Sequence, residues 1–245
     1  MSQREITNYK AVLFDAADTL LQAPSAVSEL QHFLAEHAIH MEQEMIEPVV
    51  RQAIDEHYYG KTVDLQATCT PESDRQFWVN VYRSMFRNWG IEEHHHLSWS
   101  NRLYDRFTSS APYTFFDDVL PTIERLQALG IEVGVISNFA PTLREIFIDL
   151  GMPIEKLNAL IISTEVNVEK PNPAIFQLAL TQTGLLADEI LYVGDHPIND
   201  VEAPNLVGID AVRIKRYTYQ TGEGIAQFDQ LFEPTIPCLR KGNRT

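Results

Sequence analysis

The stretch KAVLFDAADTL at residues 10–20 determines how the rest of the chain is interpreted. It opens with the short apolar run Lys10–Asp15, which ends in an acid and is typical of a buried strand in a parallel sheet. Ligands of open α/β sheets bind outside the carboxyl ends of the strands. We therefore expect Asp15 to lie at the ligand-binding edge of a sheet.

Beyond residue 112 the chain alternates between predicted strands and predicted helices. Further apolar runs, each predicted as a strand, occur at 131–137, 159–163, 190–194 and 210–214. Helices are predicted to begin at a cap on Asp117 or Asp118, at Pro141, and at Asn172. This alternation indicates βαβ units, and hence a doubly wound, Rossmann-like α/β fold with a parallel sheet.

The segment between the first strand and residue 112 has a different pattern. From about Ser25 to Ser110 the apolar residues recur at helical spacing, and no strand is predicted. We therefore expect an inserted α-helical cap domain at residues 22–111, and an α/β core domain formed by residues 1–21 and 112–245. A run of three histidines, His94–His96, is interpreted as part of a solvated loop between cap helices.

The composition limits the class of partner. The chain has 245 residues and a formal net charge of −15. Nucleic acids and anionic membranes both need a basic face, so neither is expected as a partner. No apolar run reaches the roughly 18 residues of a membrane span, and no signal-peptide or transit-peptide pattern is present. Cys69 and Cys238 are interpreted as reduced thiols, which favours a cytoplasmic protein; its oligomeric state stays open.

Polar residues cluster at the ends of the predicted strands. The candidates are Asp15, Asp18, Thr19, Ser137, Asn138, Ser163, Thr164, Asp195, Asn199 and Asp200, with Lys170 in the loop before the Asn172 helix. Acids, a hydroxyl–amide pair and a lysine that converge at one edge indicate a site for a metal ion and an anion. Turn and cap roles would explain each residue singly but not their joint placement.

Four motifs resemble those of the haloacid dehalogenase-like (HAD) hydrolase superfamily in order and spacing. They are FDAADTL at 14–20, similar to the first motif Asp-x-Asp-x-Thr, then ISN at 136–138, EKPNPAIF at 169–176 and VGDHPIND at 193–200. The resemblance covers the whole chain, including a cap inserted between motifs one and two. It is strongest to a helical-cap branch whose first motif reads Asp-x-x-x-Thr-Leu.

The resemblance implies a role for each motif residue. Asp15 would be the nucleophile and form an aspartyl-phosphate, while Lys170 would balance the charge of the nucleophile and of the anion. The phosphate-binding residues would be Thr19, Ser137 and Asn138. The cofactor would be Mg²⁺, held by Asp15, the backbone carbonyl of Ala17, Asp195 and Asp200.

The first motif departs from the family pattern at Ala17. Family phosphatases usually carry an aspartate at this position, which protonates the leaving oxygen and activates water. Alanine can do neither, and general acid–base help is worth about 10²–10⁴ in rate. Asp18, His196, the cap or water are the candidates for a replacement.

Three functions therefore stay open. The favoured one is a phosphatase that acts on a small phosphorylated metabolite with a modified acid/base step. The second is a dehalogenase-type or phosphonatase-type hydrolase; in the phosphonatase case Lys61 would have to serve as the imine-forming cap lysine. The third is a catalytically weak protein that binds a phosphorylated ligand or a partner. Retention of Asp15, Lys170 and both acids of the fourth motif favours an enzyme.

Overall fold

A five-stranded parallel sheet lies at the centre of the protein, whose computed structural model describes residues 4–59 and 68–239. In chain order the strands are β1 (Ala11–Phe14), β2 (Leu21–Gln22), β3 (Thr114–Phe115), β4 (Glu132–Ser137), β5 (Ala159–Ile162), β6 (Ile190–Gly194) and β7 (Asp210–Arg213). The main sheet has the order β5-β4-β1-β6-β7, and all of its pairs are parallel. This confirms the predicted Rossmann-like α/β core.

Helices connect these strands and also form an insertion after β2. They are α1 (Ala26–Glu36), α2 (Gln43–Ile54), α3 (Pro71–Asn88), α4 (Glu93–Phe107), α5 (Val119–Ala128), α6 (Leu143–Asp149), α7 (Ser163–Val166), α8 (Pro173–Thr183) and α9 (Ala203–Leu206). A π-helical turn, Pro197–Glu202, precedes α9. No helix within the described residues is long and apolar enough to cross a membrane.

The central strand β1 is buried along its whole length because it pairs with β4 on one side and with β6 on the other. Its side chains alternate between the two faces of the sheet. Val12 and Phe14 pack into one apolar cluster, and Ala11 and Leu13 pack into another. A strand covered on both faces has to be apolar at every position, which explains the unbroken run in the sequence.

Helices α1–α4 form the predicted helical cap and enclose an apolar cluster of their own. Phe33, Phe86 and Trp99 lie in this cluster, with Phe33 and Phe86 each packing edge-on against Trp99. Phe139, directly after the second motif, packs against both the cap cluster and the core cluster. The cap is therefore in apolar contact with the core beside that motif. The domain boundaries at residues 22 and 111 stay a prediction.

Two short strands that the sequence pattern does not predict flank the helical region at about 25–110. Leu21 of β2 pairs with Phe115 of β3, and Gln22 pairs with Thr114, in a short antiparallel ladder. The ladder joins the chain segments that enter and leave the cap. Strands of two residues have no periodic pattern that a sequence could reveal.

Two side-chain predictions also differ from the structure. The histidine run lies in the first turn of α4 and not in a loop, and His96 is buried with Nε2 2.8 Å from the carbonyl of Ile91. Asp118 precedes α5 but makes no capping hydrogen bond. Its Oδ2 instead accepts hydrogen bonds from the Arg216 side chain and the Phe228 amide, both at 2.8 Å. Tertiary contacts replace the local cap in this case.

Candidate active site

The predicted site residues lie at the carboxyl ends of neighbouring strands. Asp15 directly follows β1, Ser137 ends β4, and Asp195 directly follows β6. The Asp15 amide donates to the carbonyl of Val193 at 2.9 Å, so the ladder between β1 and β6 continues up to the acid. Since the strands are parallel and in register, their ends present these polar groups at one edge of the sheet.

The Lys170 ammonium lies at the centre of this edge. Its Nζ is 2.6 Å from Oδ1 of Asp15, 2.6 Å from Oδ1 of Asp200 and 3.0 Å from the Tyr192 hydroxyl. The residue is only 4% exposed. Burial works to lower the pKa of Lys170, but the charges of Asp15 and Asp200 raise this pKa well above its usual value. Lys170 therefore stays charged and donates to both carboxylates.

Asn138 and Tyr192 hold Lys170 in place. The Asn138 side chain accepts from the Lys170 amide and donates to the Lys170 carbonyl, both at 2.8 Å. The Tyr192 hydroxyl donates to the carbonyl of Ile136 at 2.9 Å, which leaves its oxygen lone pairs for the ammonium. Because both the carbonyl oxygen and the NH2 group of the Asn138 side chain are used in this way, that side chain positions Lys170.

Three carboxylates approach one another beside Lys170. One oxygen from each of Asp15, Asp195 and Asp200 lies within 4.8 Å of the others. Burial, together with the charge of Asp200, raises the pKa of Asp15 to about 6 against the opposing effect of Lys170. Burial and the charges of Asp200 and Asp15 raise the pKa of Asp195 to about 8. A cation between such carboxylates would favour their ionised forms, and a set of oxygen donors suits Mg²⁺.

Asp200 is held tightly within this group. Its Oδ1 accepts from Lys170, and its Oδ2 accepts from the His196 amide at 2.9 Å. Gly194 makes room for it, because a Cβ at that position would collide with the Asp200 side chain. Both of its oxygens already accept hydrogen bonds, so Asp200 is suited to support a metal site at this edge.

Two buried hydroxyls at the same edge have no hydrogen-bond partner among the described residues. They belong to Thr19, which is 0% exposed, and Ser137, which is 1% exposed. A buried polar group without a partner is costly, and a structure that keeps two of them at one edge is suited to a ligand that accepts hydrogen bonds. The oxygens of a phosphoryl group would meet this need.

Comparison with known proteins decides the family. A family model of haloacid dehalogenase-like hydrolases matches residues 9–208. The chain belongs to this hydrolase family. It is 30% identical over 216 residues to a glyceraldehyde 3-phosphate phosphatase of Methanopyrus kandleri, covering 87% of each chain. It is 28% identical over 212 residues to haloacid dehalogenase-like hydrolase domain-containing protein 3 of Danio rerio, covering 84% of each chain.

A solved structure shows the same fold. The magnesium-bound putative HAD-hydrolase YfnB from Bacillus subtilis superposes with a TM-score of 0.74 at 17% sequence identity. The match covers 91% of this chain and 97% of that chain. The agreement extends over the core and the inserted cap, so the family's architecture is present throughout this HAD hydrolase.

The two side chains that could supply the acid missing at Ala17 both have structural partners in this HAD hydrolase. Asp18 has a left-handed backbone, with φ of 57°, and its Oδ1 accepts from the Tyr217 hydroxyl at 2.8 Å. The Nδ1 atom of His196 accepts from the amides of Ile198 and Asn199, so this ring caps the π-helical turn of the fourth motif. Both side chains therefore have structural partners.

Lys61, the cap lysine that a phosphonatase-type reaction would need, lies outside the described residues. Two arginines of the cap that could otherwise meet an anionic substrate have acidic partners within the cap. Arg75 pairs with Asp105, and Arg106 pairs with Glu29 and Glu36. These contacts indicate that the two side chains stabilise the cap.

Sequence reasoning missed two residues of the site. Tyr192 lies inside β6 and reads as a core residue; the only signal is a phenol in an otherwise aliphatic buried strand, which needs a polar partner. Gln220 donates from Nε2 to Oδ2 of Asp195 at 3.0 Å. It lies in the irregular segment after β7, where no pattern in the sequence marks it.

Proposed function

We propose that this HAD hydrolase is a cytoplasmic, Mg²⁺-dependent phosphatase that removes a phosphoryl group from a small metabolite through an aspartyl-phosphate on Asp15. One observation carries the proposal: Asp15 is buried, bonded to Lys170 at 2.6 Å and grouped with Asp195 and Asp200. The phosphatase name of the Methanopyrus kandleri relative supports the same reaction class.

The residues of the site suit a two-step transfer. An oxygen of ionised Asp15 attacks phosphorus, the bond from phosphorus to the leaving oxygen breaks, and an aspartyl-phosphate forms. Water then attacks that phosphorus, the aspartyl C–O–P linkage opens at the P–O bond, and phosphate leaves while Asp15 is regenerated. Lys170 keeps Asp15 ionised and offsets the negative charge of the incoming group.

The remaining polar groups bind the substrate and the metal. The hydroxyls of Thr19 and Ser137 and the backbone N–H of Asn138 donate to the phosphoryl oxygens. Mg²⁺ would be bound by Asp15, the Ala17 carbonyl and Asp195, with Asp200 in support, and would stabilise charge on the transferring group.

The source of the proton for the leaving group differs from that in family members with an aspartate at the position of Ala17. The methyl group of Ala17 cannot protonate a leaving alkoxide, and the side chains of Asp18 and His196 accept hydrogen bonds from other groups. We propose that water supplies this proton. Substrates whose leaving group is stable as an anion should therefore react fastest.

The test is hydrolysis of p-nitrophenyl phosphate with and without Mg²⁺, because nitrophenolate leaves without a proton. Wild type is compared with Asp15→Asn, which keeps the size of the side chain but removes the nucleophile. Asp210→Asn serves as the control. Asp210 is also buried, but it lies at the amino end of β7, away from the carboxyl ends that carry the site. Its carboxylate accepts from the Tyr9 hydroxyl at 2.8 Å.

We expect turnover in wild type and in Asp210→Asn that is abolished by a chelator and by Asp15→Asn. Trapping of a phosphorylated chain in wild type and in Asp210→Asn, but not in Asp15→Asn, would add direct support. Turnover that persists in Asp15→Asn, or wild type that does not hydrolyse the ester at any Mg²⁺ concentration, would contradict the phosphatase proposal.

A further inference from the structure

The segment Arg216–Gln220, which follows β7, is anchored to the turn that carries the first motif. The Arg216 guanidinium donates two hydrogen bonds to the carbonyl of Thr19, at 2.9 and 3.0 Å. It lies between two aromatic rings, 4.3 Å from the centroid of Phe116 and 4.2 Å from that of Phe228. Its side chain is only 4% exposed. A planar cation that is stacked on both sides and bonded at its edge gives the segment a defined position.

The same segment contacts the fourth motif through Gln220. The side-chain Nε2 of Gln220 donates to Oδ2 of Asp195 at 3.0 Å, and its Oε1 accepts from the Tyr217 amide at 3.0 Å. Both ends of the amide are therefore used, and the orientation of the N–H toward Asp195 is determined. Meanwhile the Asp195 carbonyl accepts from Nε of Arg213 at 2.8 Å.

Gln220 thus donates to one oxygen of Asp195, while the other has no donor among the described residues. Asp195 is also the least tightly held of the three carboxylates, since Asp15 and Asp200 both accept from Lys170. A neutral N–H is suited to this position, because it can orient the carboxylate without competing as a cation for the metal ion. Hydrogen-bonded partners of this kind orient metal ligands and tune their affinity.

We propose that Gln220 is a positioning residue for the metal site: it orients the Asp195 carboxylate so that its other oxygen faces the ion. The assignment rests on the proposed Mg²⁺-dependent function. It extends that function, because it places part of the metal site on a segment outside all four motifs. Gln220 touches Asp195 and acts through it.

The test measures Mg²⁺ binding by isothermal titration calorimetry on the full chain, without substrate. Gln220→Ala removes the amide, and Gln220→Met keeps the length of the side chain but not the donor. Gln230→Ala is the matched control, because Oε1 of Gln230 also closes a local turn, accepting from the amides of Ala226 and Gln227, but does not reach the site. Activity on p-nitrophenyl phosphate at saturating Mg²⁺ is the second readout.

We expect both Gln220 variants to raise the Mg²⁺ dissociation constant by about tenfold, the lower end of the range for such partners. At saturating Mg²⁺ their kcat should stay within about twofold of wild type, because the ion restores the position of Asp195 once it is bound. Gln230→Ala should leave the dissociation constant unchanged.

Four outcomes would overturn the assignment. Wild-type affinity in Gln220→Ala would show that Asp195 needs no orienting donor, while leaving the proposed phosphatase intact. Rescue of affinity in Gln220→Met would assign the effect to packing. A kcat that falls with affinity and does not recover at saturating Mg²⁺ would indicate a distorted segment. If wild type binds no Mg²⁺, the assignment and the proposed function both fail.

Discussion

Lys170 and Asp15 form a buried ion pair in which Nζ lies 2.6 Å from Oδ1. The same ammonium makes an equally short contact with Asp200, so one positive charge serves two carboxylates. Asp195 adds a third acid to the group. Burial, together with this excess of negative charge, explains why the pKa values of Asp15 and Asp195 are raised although a lysine is present.

Replacing Lys170 by methionine should destabilise the fold and abolish the proposed phosphatase activity. The substitution leaves two buried carboxylates without their cation, and removing one partner of a buried pair costs about 3–5 kcal/mol. The loss of stability should be larger at pH 8 than at pH 5, because the two carboxylates can take up protons at the lower pH. Urea unfolding at both pH values measures the difference.

Lys156→Met is the control for this substitution, since Lys156 is exposed. Its effect on the free energy of unfolding should stay within about 0.5 kcal/mol, as is usual for surface positions. If the Lys170 and Lys156 variants had equal stability at pH 8, the ion pair would have no role in the folded state.

The contribution of Asp195 to the stability of the metal-free protein should fall as the pH rises from 4 toward about 8. The pKa of Asp195 is about 8 in the folded protein but 3.8 in the absence of burial, so in this range the folded state binds a proton that the unfolded state lacks. Rising pH removes that proton and with it the stabilisation. Asp195→Asn should therefore melt higher than wild type at pH 8 in a chelator, by about 2–4 °C for each kcal/mol.

Mg²⁺ should reverse the order of the two melting temperatures, because it stabilises wild type and not Asp195→Asn. Its affinity for wild type should increase with pH, since protons on Asp195 and Asp15 compete with the ion. Thermal melts and Mg²⁺ titrations at pH 6, 7 and 8 test both statements. Mg²⁺ affinity that is independent of pH in this range would contradict the raised pKa of Asp195.

Ala17→Asp should increase hydrolysis of alkyl phosphates more than hydrolysis of p-nitrophenyl phosphate. An alkoxide leaves poorly without a proton, and a positioned acid contributes about 10²–10⁴ in rate. We expect an increase of at least about tenfold in kcat/KM for an alkyl ester, and little change for the nitrophenyl ester, whose leaving group needs no proton.

Ala17→Asn is the matched control, because it has nearly the same size but no acidic proton. Steady-state rates of the three proteins on both esters separate the effect of the acid from that of side-chain volume. An equal gain in the Asn variant would mean that filling the space at position 17, and not proton transfer, limits the wild-type rate.

The sequence by itself determined the core strands and which polar residues lie at their carboxyl ends. Apolar runs such as Ile190–Gly194 are covered on both faces in the structure, and burial of that kind leaves a local pattern. Asp15, Ser137 and Asp195 were predicted at strand ends because the end of a run can be read directly, and parallel strands bring their carboxyl ends together. The structure brings Asp15, Lys170, Asp195 and Asp200 into one group, as the motifs predicted.

Only the tertiary structure decided which side chains support that group. The sequence predicts Tyr192 as a core residue, but in the structure its hydroxyl accepts from Lys170 and donates to the carbonyl of Ile136. Gln220 meets Asp195 across 25 positions of the chain, through a segment without regular structure. A hydrogen bond between residues so far apart leaves no periodicity, because it depends on how the elements pack. The sequence therefore determines which residues can carry the chemistry, and packing decides which neighbours hold them in place.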